Sequence, residues 1–240
     1  MNLTEEQIFE HAFVISINDK RLEEFQNQFK KAGFKKIPEL WHGATLKSNY
    51  YKSFDDYPDK LVHYKWLLSL CNGFGHFFLV EMARHMKWPF VTIFEDDAVP
   101  VDNIHELIKT YCTDIPDDAD ILKLGYTGER HHSFLLYKDD KFVSIDQKGS
   151  HAYIVFQKEY ERFLSDSIIN PRADVYRFNP HNGVKSYSCI TPLFIQKNID
   201  EKDTIHFGWS SINRPKENRG WYKDPTTIPL LSDLTKDKKN

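Results

Sequence analysis

The sequence predicts an α/β domain: a mixed, mostly parallel sheet flanked by helices, with an irregular C-terminal part. Three observations carry that reading. Short β-branched and aromatic runs (HAFVISI at 11–17, FVTIF at 90–94, AYIVF at 152–156) are separated by helical patterns, the alternation that builds a sheet with helices packed on it. The first run passes at once into a polar NDKR loop and then a helix, the opening of an α/β nucleotide-binding layout. The 240 residues contain no internal repeat, no low-complexity linker and no composition break, so residues 1–240 read as one domain, motif-bearing over 11–196 and irregular over 197–240.

Each element follows from local pattern. Residues 11–17 are apolar and β-branched, a buried strand. In RLEEFQNQFKKAGF, Leu22, Phe25 and Phe29 share a helical face and Gly33 supplies a C-terminal stop. Residues 48–60 carry tyrosines and acidic pairs without periodicity and read as an exposed loop. Residues 64–85 read as two helices broken near Gly73 and Gly75. Pro89 launches the strand 90–94, which ends at Glu95, Asp96 and Asp97, and a helix over 102–111 is expected with Asp102 as its cap. Further strands are expected at 121–124, 152–156 and 192–196, a ribbon at 138–143 around Asp139 and Asp140, and a helix from Glu159.

Composition narrows the function. With 35 acidic and 32 basic residues the net charge is -3, which lacks the basic signature of a nucleic-acid binder. Cys71, Cys112 and Cys189 are widely spaced and odd in number, so neither a zinc knuckle nor a disulfide framework is indicated and a reduced, cytoplasmic setting is expected. The first residues lack a basic region before an apolar stretch, and the least charged run, 66–80, is too short to span a bilayer. The basic tail reads as a solvated terminus, with peripheral membrane contact at most. The 18 Phe, 12 Tyr and 5 Trp offer flat faces for a core or for stacking on sugars.

FEDDAVP is the most informative stretch. Charges that follow a buried strand must emerge at its carboxyl end, where open α/β sheets bind ligands. Adjacent carboxylates repel unless a cation or strong donors neutralise them. Hard oxygen ligands suit Mg²⁺ or Mn²⁺, which recruit substrate phosphates to complete their coordination. The competing reading is a solvated helix start, as at Asp55-Asp56 or Asp117-Asp118, but those pairs do not follow an apolar run.

These residues resemble glycosyltransferase family 25, the lipopolysaccharide and lipooligosaccharide biosynthesis group that includes collagen galactosyltransferases. FVISINDKR is similar to that family's first strand and nucleotide loop, CNGFGHFFLV to its turn and histidine-bearing helix, and PFVTIFEDDAVP to its acidic motif. ILKLGY and SHAYIVFQKEYERFL resemble the later strand and strand-to-helix block, and ADVYRF followed by VKSYSCITPLFIQ resembles the aspartate loop and final strand. The order holds over 13–196. The resemblance implies a GT-A-like fold, Mn²⁺ or another divalent cation, and inverting transfer of a hexose, typically galactose, from a UDP-sugar to a cell-surface glycan or glycolipid acceptor such as lipooligosaccharide. It also implies a cytoplasmic enzyme working at the inner face of a bacterial inner membrane.

On that resemblance Asp97 is the first choice for direct metal contact, with Asp96 or Glu95 completing the ligation or binding the ribose. His206 is the candidate late metal ligand, against the alternative of a packed histidine among aromatics. Asp174, in ADVYRF, is the candidate general base, against a turn-forming loop aspartate. Ser16, Lys20, Arg21 and His76 are assigned to the nucleotide, Lys20 and Arg21 as phosphate neutralisers or else solvated charges. His151 either donates to phosphate or holds two loops together. Trp209 and Trp221, in an aperiodic segment, are candidates for a sugar-facing lid. The alternative from another class is a non-catalytic glycan- or nucleotide-binding protein on the same scaffold, motivated by Ser16 and by Gly73-Phe74-Gly75 departing from the family's usual residues. A metal-dependent phosphohydrolase ranks last, because no D-x-D follows the first strand.

Overall fold

Strand alternation sorts the apolar residues into two cores. In a computed structural model describing residues 1–43, 60–126, 128–129, 136–144, 147–169 and 178–196, the elements in chain order are α1 (Glu5–Ile8), β1 (Ala12–Ser16), α2 (Asp19–Lys31), β2 (Glu39–His42), α3 (Lys60–His85), β3 (Phe90–Glu95) and β4 (Ala98–Pro100). They continue with α4 (Ile104–Cys112), β5 (Ile121–Gly125), β6 (Gly128–Glu129), β7 (Tyr137–Lys138), β8 (Phe142–Ser144), β9 (Gln147–Lys148), β10 (Ala152–Phe156), α5 (Tyr160–Ile169), β11 (Ser186–Cys189) and β12 (Phe194–Gln196). Ala12 and Val14 of β1 and Phe94 of β3 join residues of α1, α2 and α4 in one core. Phe13, Ile15, Val91 and Ile93 face α3 and α5 in the other. Helices therefore cover both faces of the sheet, as the α/β reading requires.

The main sheet has ten strands, in the order β2-β1-β3-β10-β5-β11-β8-β7, with β12 pairing β4 and the end of β5. β6 and β9 form a separate ribbon. The sheet is mixed as expected, but parallel pairing does not predominate. β1 runs parallel to β2 and β3, and β5 parallel to β11 and β12. Between these groups β10 is antiparallel to both β3 and β5, and the edge and ribbon pairings are antiparallel as well. The cause is topological: β10 enters the centre of the sheet after the ribbon, without the helical crossover that a parallel neighbour needs.

Several local expectations change. The segment through Gly73 and Gly75 is one continuous α3, not two helices. A Cβ on Gly75 would lie 3.1 Å from Ile15 Cγ2, so this glycine serves close packing of α3 on β1 rather than a break. Asp102 does not cap α4; Asn103 does so in a left-handed conformation, φ 59°, without a side-chain cap bond, a conformation asparagine tolerates. A 3₁₀ turn over Gln157–Glu159 precedes α5. β11 falls where no strand was expected, because its SYSC sequence, buried throughout, lacks the apolar run that marks a strand. α1, β2 and β4 are too short to register as patterns. The end of α2 matches expectation: Gly33 (φ +91°) permits Phe34 N–H to bond Phe29 O and Gly33 N–H to bond Lys30 O, a Schellman motif. All three cysteines are buried, and none forms a disulfide among the described residues. No helix among the described residues is long and apolar enough to cross a membrane.

His105 on α4 ties three helices together. Its Nδ1 lies 2.6 Å from Glu5 Oε2 of α1, and its Nε2 lies 2.7 Å from Ala32 O at the end of α2. The hydrogen bond to Glu5, then that to Ala32, raises its pKa above the ordinary 6.5. Its stabilisation is therefore complete below about pH 6.5 and fades as pH rises through the elevated folded value. His105→Gln is expected to destabilise by about 0.5 kcal/mol near pH 6, the scale of a half-exposed pair, and by less near about pH 9. Equal losses in urea titrations at both pH values would contradict this.

Candidate functional site

The carboxyl end of β3 gathers residues from most of the central elements. Glu95 closes the strand, Asp96 and Asp97 form the turn into β4, and their side chains separate. Glu95 Oε1 accepts from Ser150 Oγ at 2.5 Å, just before β10, and lies 3.3 Å from His76 Nε2 on α3. The other ring nitrogen of His76, Nδ1, lies 2.6 Å from the Tyr153 hydroxyl of β10. Asp96 turns the other way. Its Oδ2 accepts from Ser16 Oγ at 2.6 Å, and its Oδ1 receives the Arg21 guanidinium of α2. Asp97 Oδ2 accepts from Gln196 Nε2 of β12 at 2.7 Å and lies 3.9 Å from Arg21 Nη2.

The placement follows from the sheet. β1 and β3 are adjacent and parallel, so Ser16 and Glu95 end together. Ser16 Oγ also bonds Asn18 O, and Asn18 Oδ1 accepts from the Lys20 and Arg21 amides. That N-cap starts α2 one turn before Arg21 reaches Asp96. His151 O accepts from the Glu95 amide at 2.9 Å, which puts His151 beside the acidic turn. Beneath the site an aromatic cluster fixes α2 and β12 to β3: the Phe94 and Phe194 rings lie 5.0 Å apart, and Phe29 is 5.7 Å from Phe194. Each buried ring of this kind contributes about 1.5–3 kcal/mol.

Burial governs the charges. It pushes Asp96 up to about 6, against the Arg21 charge and the Ser16 bond. It also raises Asp97, helped by the neighbouring Glu95 charge and opposed by His151, Gln196 and Arg21. Burial would raise Glu95 too, but the His76 contact and charge and the Ser150 bond outweigh it and hold the carboxyl below its usual range. Burial lowers His151 despite Asp97 and Phe194 O, favouring a neutral ring. Three buried side-chain atoms have no hydrogen-bond partner among the described residues: His76 Nε2, which faces Glu95, and the acceptor-type positions Asp97 Oδ1 and His151 Nδ1.

Of the expected site residues, Ser16, Arg21, His76, Glu95, Asp96 and Asp97 converge here. Lys20 is exposed on the first turn of α2, with its amide taken by Asn18. Asp174 and His206 lie outside the described residues, as do the loop 48–59, Trp209 and Trp221. Ser150, Tyr153, Gln196 and Lys123 were not anticipated as site residues. Lys123 is buried, sits opposite Tyr153 across β5 and β10, and holds its ammonium 5.1 Å from the Phe178 ring. A lysine inside the apolar run ILKLGY was the sequence signal for it. No group of three or more metal-ligating side chains capable of holding an ion occurs among the described residues. Both oxygens of Asp96 are engaged, whereas Asp97 keeps one bare oxygen, the feature a cation would require. No protein-family model matches the chain, and no curated protein matches it.

Two substitutions probe this architecture. A Cβ on Gly125 would strike His151 Nε2 and approach Phe194 O to 2.5 Å, the two atoms of the 3.1 Å bond that holds the ring. Gly125→Ala is expected to cost about 1–3 kcal/mol in chemical denaturation; an unchanged midpoint would contradict it. Tyr153→Phe strips the buried His76 Nδ1 of its partner and is expected to cost about 1–3 kcal/mol, a loss that Glu95→Gln in the same chain should alter non-additively.

Proposed function

We propose that the chain is a metal-dependent inverting glycosyltransferase with a GT-A-like domain, moving a hexose, galactose first, from a UDP-sugar to a cell-surface glycan acceptor such as lipooligosaccharide. The observation that carries this reading is the buried acidic turn at the end of β3, where burial raises Asp97 and its Oδ1 has no hydrogen-bond partner among the described residues. It supports a divalent cation, Mn²⁺ foremost, held by Asp97. Such an ion supplies neutralisation of the charge that develops on a leaving diphosphate. A cation there would favour the ionised form that burial disfavours.

The chain's own residues supply the rest. Ser16 and Arg21 hold Asp96 at the boundary between β1, α2 and β3, where the nucleotide would lie. Glu95 is locked by Ser150 and His76 and orients the strand end rather than reaching outward. Asp174 is assigned the proton: it takes it from the acceptor hydroxyl as the new bond to the sugar's anomeric carbon forms and the bond to the diphosphate breaks, releasing UDP with inversion. The proposed setting is cytoplasmic, at the inner face of a bacterial inner membrane, with peripheral contact at most.

With Mn²⁺ and a glycan acceptor, the wild-type chain is expected to release UDP from UDP-galactose or another UDP-hexose. Asp97→Asn should lower kcat/KM by at least about 100-fold, in keeping with the several kcal/mol a metal contributes to charge stabilisation. No UDP release from any UDP-hexose, or an unimpaired Asp97→Asn, would refute the proposal. Tight UDP-sugar binding without turnover would identify the non-catalytic alternative.

A further inference from the structure

The reading of Asp97 as the cation's ligand leaves the ion short of a second protein donor, and the sequence had offered His206 for that role. A different histidine is placed for it. His151 is 0% exposed and Asp97 2%, and both are tied to β12: His151 Nε2 lies 3.1 Å from Phe194 O, and Gln196 Nε2 bonds Asp97 Oδ2. Phe194 and Gln196 are two residues apart on one strand and pair with Pro100 and Ala98 of β4. A carbonyl oxygen only accepts, so His151 Nε2 carries the proton and Nδ1 presents its lone pair. The two tethers each leave one atom over, Nδ1 of His151 and Oδ1 of Asp97, both buried and both without a hydrogen-bond partner among the described residues.

Two buried acceptors beside the same turn cannot satisfy one another. An unsatisfied buried polar atom costs about 1–3 kcal/mol, and donors or a cation remove that cost together. We propose that His151, through Nδ1, is the nitrogen ligand of the divalent cation beside Asp97. The inference rests on the cation reading given above and goes beyond it in naming the ligand. Phe194 O then acts as the partner that fixes the tautomer, the arrangement in which a ligating imidazole donates its other N–H to a carbonyl. The lack of a Cβ at Gly125 keeps that tether clear. A mixed carboxylate and imidazole set also selects the metal: it suits Mn²⁺ and the later divalent ions better than Mg²⁺, which prefers oxygen alone.

The test loads the full chain with Mn²⁺ and reads nitrogen couplings by pulsed electron paramagnetic resonance, with and without ¹⁵N-histidine labelling. The wild type should show a histidine nitrogen coupling that changes on labelling. His151→Gln should lose it and weaken Mn²⁺ binding at least about tenfold, whereas His206→Gln should keep it. Bound Mn²⁺ without nitrogen coupling, or coupling that persists in His151→Gln, would overturn the assignment while leaving the cation reading intact. Failure of the wild type to bind Mn²⁺ would overturn both. If His151→Gln does not fold, long-range proton–nitrogen spectra of the wild type with Zn²⁺ replace it. One ring should shift at Nδ1 and keep its Nε2 proton, and ligation through Nε2 or no shift would count against the proposal.

Discussion

The structure depends on one electrostatic constraint. A buried, largely apolar strand, β3, ends in Glu95 and runs straight into Asp96 and Asp97 of the following turn, and each carboxylate must find a partner or lose its charge. The fold answers from different directions: Ser150 and His76 for Glu95, Ser16 and Arg21 for Asp96, Gln196 for Asp97. Arg21 brings a guanidinium to Asp96 and to within 3.9 Å of Asp97, yet burial still raises both aspartates. What is left over lies at Asp97, whose Oδ1 has no hydrogen-bond partner among the described residues, as is true of His151 Nδ1.

Those partners stay in place because of packing far less polar than the site itself. α2 carries Arg21 and β12 carries Gln196, and neither position is set by the acidic turn alone. Phe25 and Phe29 of α2 pack with Phe94 of β3, and Phe194 of β12 closes the same cluster. The aromatic excess in the composition thus resolves, over the described residues, into a core that fixes where the polar groups meet. On the opposite face α3 approaches β1 closely at Gly75 and brings His76 to Glu95. Sheet order does the rest, since β1 and β3 end side by side and β10 begins there.

Much of this was legible in the sequence where the information is local. The strands at 90–94 and 152–156, the α2 face of Phe25 and Phe29, and the acidic strand end all follow from period and punctuation. Ser16, Arg21 and His76 were named with the acidic residues, and the structure brings them together. What the sequence did not disclose depends on contacts between distant segments. Gln196 and Ser150 reach the turn only through β12 and β10, and Tyr153 looks like an ordinary strand aromatic until α3 places His76 against it. The glycines at 73 and 75 read as a break because pattern cannot distinguish a helix stop from a close helix–strand approach. β11 was missed because a buried strand of serines, tyrosine and cysteine lacks an apolar signature. The antiparallel direction of β10 is likewise a property of chain routing, invisible in its five residues.

In the proposed function, a divalent cation and a nucleotide sugar together complete the turn at the end of β3. Calorimetric titration of the wild-type chain with Mn²⁺, in the absence and presence of UDP-galactose, tests it most directly. Mn²⁺ is expected to bind, and each ligand to raise the affinity for the other by the same factor, as linkage demands. Affinities that are independent of one another, or no Mn²⁺ binding in either condition, would contradict it.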